Sequence, residues 1–343
     1  MNIQVIGIDL GKSSFHLVGH DHKGHCQFRK QLSRPKLCEF LLNHPRTIVA
    51  FEACGGSHWL GRYCKDLGHQ VKLIPPQYVK PYVKTNKNDF IDANAIAEAS
   101  LRPSMRFVEV KSEQAQVIGA IHRIRSGYIK ARTACMSRIG SLLLEFGVSL
   151  PTGHSIMKRL FAWLATQRQA IPPMLMEELV ELHEHYQDLN IRIDRQERKL
   201  TRLLKAHRDG ELLKSIPGVG DLTASHCLSE FESVNRFKNG RSMAAWLGLV
   251  PHQHSTGGKT KLLGISKRGD KHLRTLLIHG ARSILSRLET TGAVFGDWLI
   301  ELRQRKPFNV VCVALANKLA RIIWSVLKYR KAFNAEYLRI EFA

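Results

Sequence analysis

Apolar runs in the first hundred residues predict a set of short strands. They fall at Ile3–Ile8, Phe15–Gly19, Cys26–Lys30, Thr47–Glu52 and Gln70–Ile74. The turn-rich His20-Asp21-His22-Lys23-Gly24 joins the second to the third. Helical patterns near Lys36–Asn43 and Ser57–Leu67 separate the later strands. A three-strand meander followed by alternating helices and strands is the order of an RNase H-like α/β domain. A doubly wound fold opens instead on a strand–helix unit.

The pattern then changes to an all-α one. Val117, Ile121, Ile124, Tyr128, Cys135, Ile139, Leu142 and Phe146 fall mostly three or four apart and predict one long helix over residues 112–146. Pro151, Pro172 and Pro173 bracket a short apolar helix containing Trp163. A second long helix runs from Met174 to about Leu204. Leu175, Leu179, Leu182, Tyr186, Leu189, Ile193, Leu200 and Leu203 form its heptad seam, with Gln196 as the polar position, and predict a coiled coil. Seam spacing leaves open whether the two long helices pair with each other or across subunits. From Ser215 onward, a Pro/Gly turn, a small-residue helix, Gly- and Lys-rich loops at 252–272 and two apolar helices at 273–288 and 309–328 predict a mainly helical part. The expected division is 1–108, 109–209 and 210–343.

Composition narrows the partners. Across 343 residues, 52 Lys and Arg face 29 Asp and Glu, a net charge of +23, while 44% hydrophobic content supports a real core. Such an excess of positive charge points to nucleic acid, with an anionic membrane surface the weaker option. No uninterrupted apolar run approaches ~20 residues and the N-terminus lacks a charged region followed by an apolar one, so neither a membrane span nor a signal peptide is expected. The seven cysteines (26, 38, 54, 64, 135, 227, 312) are scattered without a CxxC pair and read as reduced, mostly buried thiols of a cytoplasmic protein.

Against this basic background four acids stand out. Asp9 and Glu52 end two apolar runs, and Asp89 and Asp92 lie three apart at the start of an apolar-periodic helix. Each alone reads as a turn acid or as a helix-start acid favoured by the dipole. Together, carboxylates at strand ends and on one helical face can converge on divalent cations such as Mg2+ or Mn2+, which take a few carboxylates plus phosphate oxygens. Gly7-Ile8-Asp9-Leu10-Gly11-Lys12 is also similar to the phosphate-binding hairpin of actin-like sugar kinases. The downstream Gly-rich motifs those proteins need are missing, and +23 is unusual for a small-molecule kinase.

Two later segments carry candidate phosphate contacts. Ile216-Pro217-Gly218-Val219-Gly220 reads as a hairpin between helices, where Gly218 and Gly220 let backbone amides approach a phosphate. In the segment from Pro251 to Arg274, Ser255 and Thr256 sit beside a glycine pair, and Lys259, Lys261, Lys267, Arg268, Lys271 and Arg274 are candidate phosphate ligands. Spacing alone gives a basic phosphate-binding loop, with His252 and His254 as loop histidines.

Taken in order, Gly-Ile-Asp-Leu-Gly-Lys, Phe-Glu-Ala-Cys-Gly, Lys-Asn-Asp-Phe-Ile-Asp-Ala, Ser-Ile-Pro-Gly-Val-Gly, His-Ser-Thr-Gly-Gly-Lys and Gly-Ile-Ser-Lys-Arg-Gly-Asp resemble the IS110 family of insertion-sequence transposases over essentially the whole chain. The last two motifs are most similar to its IS1111 subgroup. The resemblance implies a RuvC-like domain of RNase H fold with an Asp-Glu-Asp-Asp metal site, which falls on Asp9, Glu52, Asp89 and Asp92. It further implies a coiled-coil linker, a transposase domain with a nucleophilic serine, a non-coding bridge RNA pairing with donor and target DNA, and a tetramer built as a dimer of dimers. Counting forward from Trp246-Leu247-Gly248-Leu249-Val250-Pro251 places the nucleophile on Thr256. Counting back from Ser266-Lys267-Arg268-Gly269 places it on Ser255, the expected nucleophile because threonine adds a methyl beside the attacking oxygen. The same resemblance implies work on bacterial DNA, in the cytoplasm at the nucleoid. A metal-dependent nuclease or Holliday-junction resolvase that uses only the four acids is the competing expectation.

Overall fold

The computed structural model describes residues 3–83, 88–167, 170–290 and 292–336; Lys87, first residue of the Lys-Asn-Asp-Phe-Ile-Asp-Ala motif, lies outside them. Two units divide the chain, Met1–Glu113 and Gln114–Ala343.

The first unit is a five-stranded mixed sheet. Strands β1 (Val5–Leu10), β2 (Ser14–His20) and β3 (Cys26–Ser33) form the antiparallel meander. Helix α1 (Arg34–Asn43) leads to β4 (Ile48–Glu52), and α2 (Ser57–Asp66) to β5 (Gln70–Ile74). Both β4 and β5 run parallel to β1, giving the order β3-β2-β1-β4-β5. A short α3 (Pro76–Val79) precedes α4 (Asp89–Ser100). The expected first strand starts two residues later and continues through Asp9 to Leu10, because pairing with Phe15 extends it beyond the apolar run.

Alternation along β1 sorts its side chains onto two faces. Ile6 and Ile8 enter a core with Phe15, Leu17, Val49, Phe51 and the α1 and α2 residues Leu37, Leu41 and Leu60. Val5 enters the opposite core, beside Ala50, Ile74, Ala95, Ile96 and Ala97. Gly7 and Asp9 therefore face α4. A Cβ on Gly7 would lie 2.2 Å from the Ala93 carbonyl oxygen and 2.7 Å from the Ala97 nitrogen, so the helix backbone rests directly on the strand. Gly7→Ala must push α4 outward, and overpacking of this kind costs about 1–3 kcal/mol. The denaturation midpoint of the variant is expected to fall accordingly; an unchanged midpoint would show that the helix has room to give.

In the second unit, α5 (Glu113–Glu145) and α8 (Pro173–Ala206) are the two long helices, with α6 (His154–Met157) and α7 (Leu160–Leu164) between them. They pair with each other inside one chain and run antiparallel. Arg125 bonds Glu197 at 2.7 Å, Arg132 donates to Asn190 at 2.8 Å, and the Cys135 thiol meets the Leu182 carbonyl at 3.1 Å, so partners descend along α8 as α5 ascends. Leu179, Tyr186, Leu189, Ile193, Gln196 and Leu200 are buried along α8, as the seam requires. Leu175, Leu182 and Leu203 are only half-buried, and His183 and Leu204 take the inward positions beside the last two. At the far end, α6 and α7 close a satellite core with Cys135, Ile139, Leu143 and Leu179.

The main core of this unit is built by α9 (Gly210–Lys214), α10 (Asp221–Glu230), α11 (Gly240–Trp246), α12 (Lys271–Leu285), α13 (Asp297–Arg305) and α14 (Phe308–Tyr329), with Ile118, Leu200 and Leu204 from the long helices. The apolar helix expected at 309–328 is α14, which at 22 residues is by length and composition alone long and apolar enough to cross a membrane. Half of its most apolar window is packed inside the core.

One expectation is overturned here. Residues 252–272 were read as loops, yet most of the segment is a hairpin of β6 (Pro251–Thr256) and β7 (Lys259–Ile265). Gly257 and Gly258 both have positive φ, 55° and 77°, as a two-residue type I′ connection demands. Nearly every residue of both strands is exposed, so no apolar alternation marks them in the sequence.

Candidate active site

Register brings the acids together. Asp9 at the end of β1 sits opposite His16 of β2, and on its other side Ile8 pairs with Phe51, which places Glu52 beside Asp9 at the same sheet edge. Alternation puts Asp9, His16 and Glu52 all on the α4 face. Helix α4 runs antiparallel to β1, so Ala93 and Ala97 cover Gly7 while its N-terminal turn reaches the acids. Asn88 caps that turn, its side chain accepting from the Phe90 amide at 2.9 Å. Asp89 Oδ2 lies 3.5 Å from His16 Nδ1, and the His16 ring meets Phe90 edge-on. Further along, His20 bonds Asn94 at 2.9 Å and fixes the helix to β2.

Asp9, His16 and Asp89 can each offer a ligand atom, all within 4.8 Å of one another. Glu52 belongs to the same patch: partial burial, then the charges of Glu52 and Asp9, push the Cys54 thiol above its usual range. Asp92 follows Asp89 by three residues, half-buried on the same helix. The two carboxylates at this spacing, with two further acids adjoining, suit a hard divalent cation that keeps open positions for phosphate oxygens, and His16 holds Asp89 beside them. His16 was missed in the sequence. Its signal was available in the alternation Phe15-His16-Leu17 counted across the hairpin from Asp9.

The hydroxyl pair lies on the second unit. Gln253, Ser255 and Thr256 pair with Leu262, Thr260 and Lys259. Because paired residues share a face and successive residues alternate, Ser255 stands with Gln253 and Thr260, and Thr256 with His254, Lys259 and Lys261. The Gln253 amide donates to Ser255 Oγ at 2.9 Å. Lys259, Lys261, Lys267, Arg268 and Lys271 are exposed around this hairpin and its base. Arg274, expected to contact phosphate, is instead 7% exposed, and its guanidinium donates to the Leu247 and Arg268 carbonyls at 2.9 and 2.7 Å, holding the hairpin's base. Gly218 has a packing reason of its own: a Cβ there would meet Ile284 Cδ1 at 2.6 Å and the Gly280 oxygen at 3.0 Å. Gly220 heads α10 with open space around it.

A third group of polar side chains is buried near the root of α5. His122, His226 and His272 meet edge to face. Burial, then the neighbouring His226 and His272, pushes His122 down to about 3. Burial opposes ionisation of Asp270, but its hydrogen bond to His226 prevails and holds that carboxyl at about 2.

A carboxylate cluster at a sheet edge and a strongly basic helical part define a protein that acts on nucleic-acid phosphates. Sequence comparison makes this specific. The DEDD transposase model of the IS110 group matches residues 6–147, and the transposase IS116/IS110/IS902 family model matches residues 210–294. The transposase for insertion sequence element IS1328 of Yersinia enterocolitica is 44% identical over 97% of this chain and 99% of its own length. A probable family 20 transposase of Pseudomonas aeruginosa is also 44% identical over the same shares. The transposase for insertion sequence element IS1111A of Coxiella burnetii is 39% identical over 97% of this chain and 92% of its own. The chain belongs to the IS110/IS116/IS902 family of insertion-sequence transposases, enzymes that cleave and transfer DNA.

Proposed function

We propose that this transposase is a bridge-RNA-guided recombinase that cuts and rejoins DNA through a covalent serine–DNA ester. The convergence of Asp9, His16 and Asp89 at the sheet edge carries the metal half of this reading. The sheet order β3-β2-β1-β4-β5 with its acids at the β1 and β4 ends supports an RNase H-like, RuvC-like assignment for residues 1–108. Residues 109–209 then act as a coiled-coil linker and 210–343 as the transposase domain with its nucleophile hairpin.

In this proposal Asp9, Glu52, Asp89 and Asp92 are the residues that would hold Mg2+ or Mn2+. Such a cation would supply positive charge for the phosphate and leaving oxygens when bound. The Ser255 oxygen attacks phosphorus and forms the protein–DNA ester as the P–O bond to one strand end breaks, and the hydroxyl proton passes through solvent to the departing oxygen, which leaves as an alcohol. The exposed lysines Lys259, Lys261, Lys267 and Lys271, with Arg268 and the open amide end at Gly220, bind backbone phosphates without reading sequence. Sequence is then read by pairing of a bridge RNA with donor and target DNA. The complete site forms in a dimer of dimers.

RNA that co-purifies with the full-length protein is expected to be one discrete species from the element's own end; purified protein carrying only random cellular RNA would end the guided reading. A metal-dependent nuclease or junction resolvase remains the second reading, because the carboxylate cluster assembles within the first unit alone. A covalent adduct trapped on DNA separates the two: the resolvase leaves none.

A further inference from the structure

We infer that His122, His226 and His272 form a structural transition-metal site, of the zinc class, that fixes the root of the long helix α5 to α10 and α12. One ring nitrogen of each histidine is buried without a hydrogen-bond partner: Nδ1 of His122, Nδ1 of His226 and Nε2 of His272. Two of these side chains are almost wholly enclosed, at 2% and 6% exposure. An interior rarely leaves one buried imidazole nitrogen unsatisfied, and three such histidines packed against one another is an arrangement an ion between them would explain.

The spacing agrees with that chemistry. The three residues can each offer a ligand atom within 4.8 Å of the others. Their ring centres lie 4.8, 5.6 and 4.8 Å apart, all edge to face. A tetrahedral zinc with nitrogen ligands at ~2.0–2.1 Å places ring centres about 5 Å apart. For two of the three, the opposite ring nitrogen is also held by a partner, as metal-bound histidines require. His122 Nε2 bonds Ser225 Oγ at 3.0 Å, and His226 Nε2 bonds Asp270 Oδ1 at 3.2 Å. A carboxylate behind a ligating imidazole fixes its orientation and raises its basicity. Asp270 is itself held in place as the cap of α12, accepting from the Leu273 amide. Glu230 brings a second carboxylate within 4.8 Å of His226 and Asp270, adding negative charge around a cation. An all-nitrogen, enclosed donor set favours zinc, cobalt or nickel over magnesium, which takes oxygen ligands. The site is thus separate in chemistry from the acid cluster of the first unit.

The test uses the full-length, tag-free protein, stripped with a chelator and dialysed against Zn2+ in magnesium-free buffer. One zinc per chain is expected to remain by elemental analysis, and Co2+ in its place is expected to give the intense visible absorption of a tetrahedral site. His272→Gln is expected to lower retained zinc at least tenfold, and Asp270→Asn to weaken retention by about 10–100-fold as an outer-shell change. Asp9→Asn is expected to leave zinc content untouched, which separates this site from the acid cluster. Folded wild-type protein that retains no zinc, or octahedral Co2+ absorption, overturns the proposal even if His272→Gln fails to fold. Full zinc retention by folded His272→Gln overturns it equally.

Discussion

Asp9→Asn is expected to reduce DNA cleavage and strand transfer by ~10²–10³-fold or more, the scale of losing one electrostatic stabiliser at a reacting centre. Asp9 is central because His16, Glu52 and Asp89 all approach it. His16 faces it across the β1–β2 pairing, Glu52 flanks it through the parallel β4 pairing, and Asp89 reaches it from α4. The amide keeps the shape of the carboxylate but not its charge, and Asp9 is only half-buried at a strand end. Unfolding is therefore expected to be unchanged by circular dichroism while Mg2+-dependent activity disappears. An Asp9→Asn protein that still transfers strands would remove the metal role from this cluster.

The second large effect concerns the hairpin hydroxyls. Ser255→Ala is expected to abolish strand exchange and the covalent adduct, with Thr256→Ala keeping part of both. Ser255 is the less hindered hydroxyl, and the Gln253 amide donating to its oxygen fixes where that oxygen points. Thr256 has the more cationic neighbours, sharing its face with His254, Lys259 and Lys261. Because adjacent strand residues project oppositely, only one of the two can address a phosphate lying on a given face. The paired measurement is consequently decisive in either direction: adduct lost in Thr256→Ala and kept in Ser255→Ala would transfer the role to threonine.

Much of the first unit was legible because its central strands β1 and β4 are buried and its acids end apolar runs. Gln70–Ile74 is found at its expected limits, and Ile48–Glu52 begins one residue later than expected. Helix α4 was harder to place against the sheet. Its contact with β1 depends on the absence of a side chain at Gly7, and an absent side chain leaves no hydropathy signal. His16 escaped notice for a related reason: its meaning comes from the residue across the hairpin, not from its neighbours in sequence. In the second unit the heptad seam was visible, but its partner was not. That came from polar contacts such as Arg125–Glu197, which join residues far apart in the chain. The hairpin at 251–265 was hidden because exposed strands obey turn geometry and pairing rather than burial. Arg274 looked like its basic neighbours, and only the enclosed carbonyls of Leu247 and Arg268 distinguish it.

The backbone-to-backbone seat of α4 on Gly7 has a consequence for how this family can drift. Where a helix rides on side chains, each exchange of an apolar residue shifts it by fractions of an ångström. Here the gauge between strand-borne Asp9 and helix-borne Asp89 is the thickness of two main chains, which only a side chain added at Gly7 itself would widen. The apolar filling around them is free to change over generations while the interval between those two carboxylates stays calibrated.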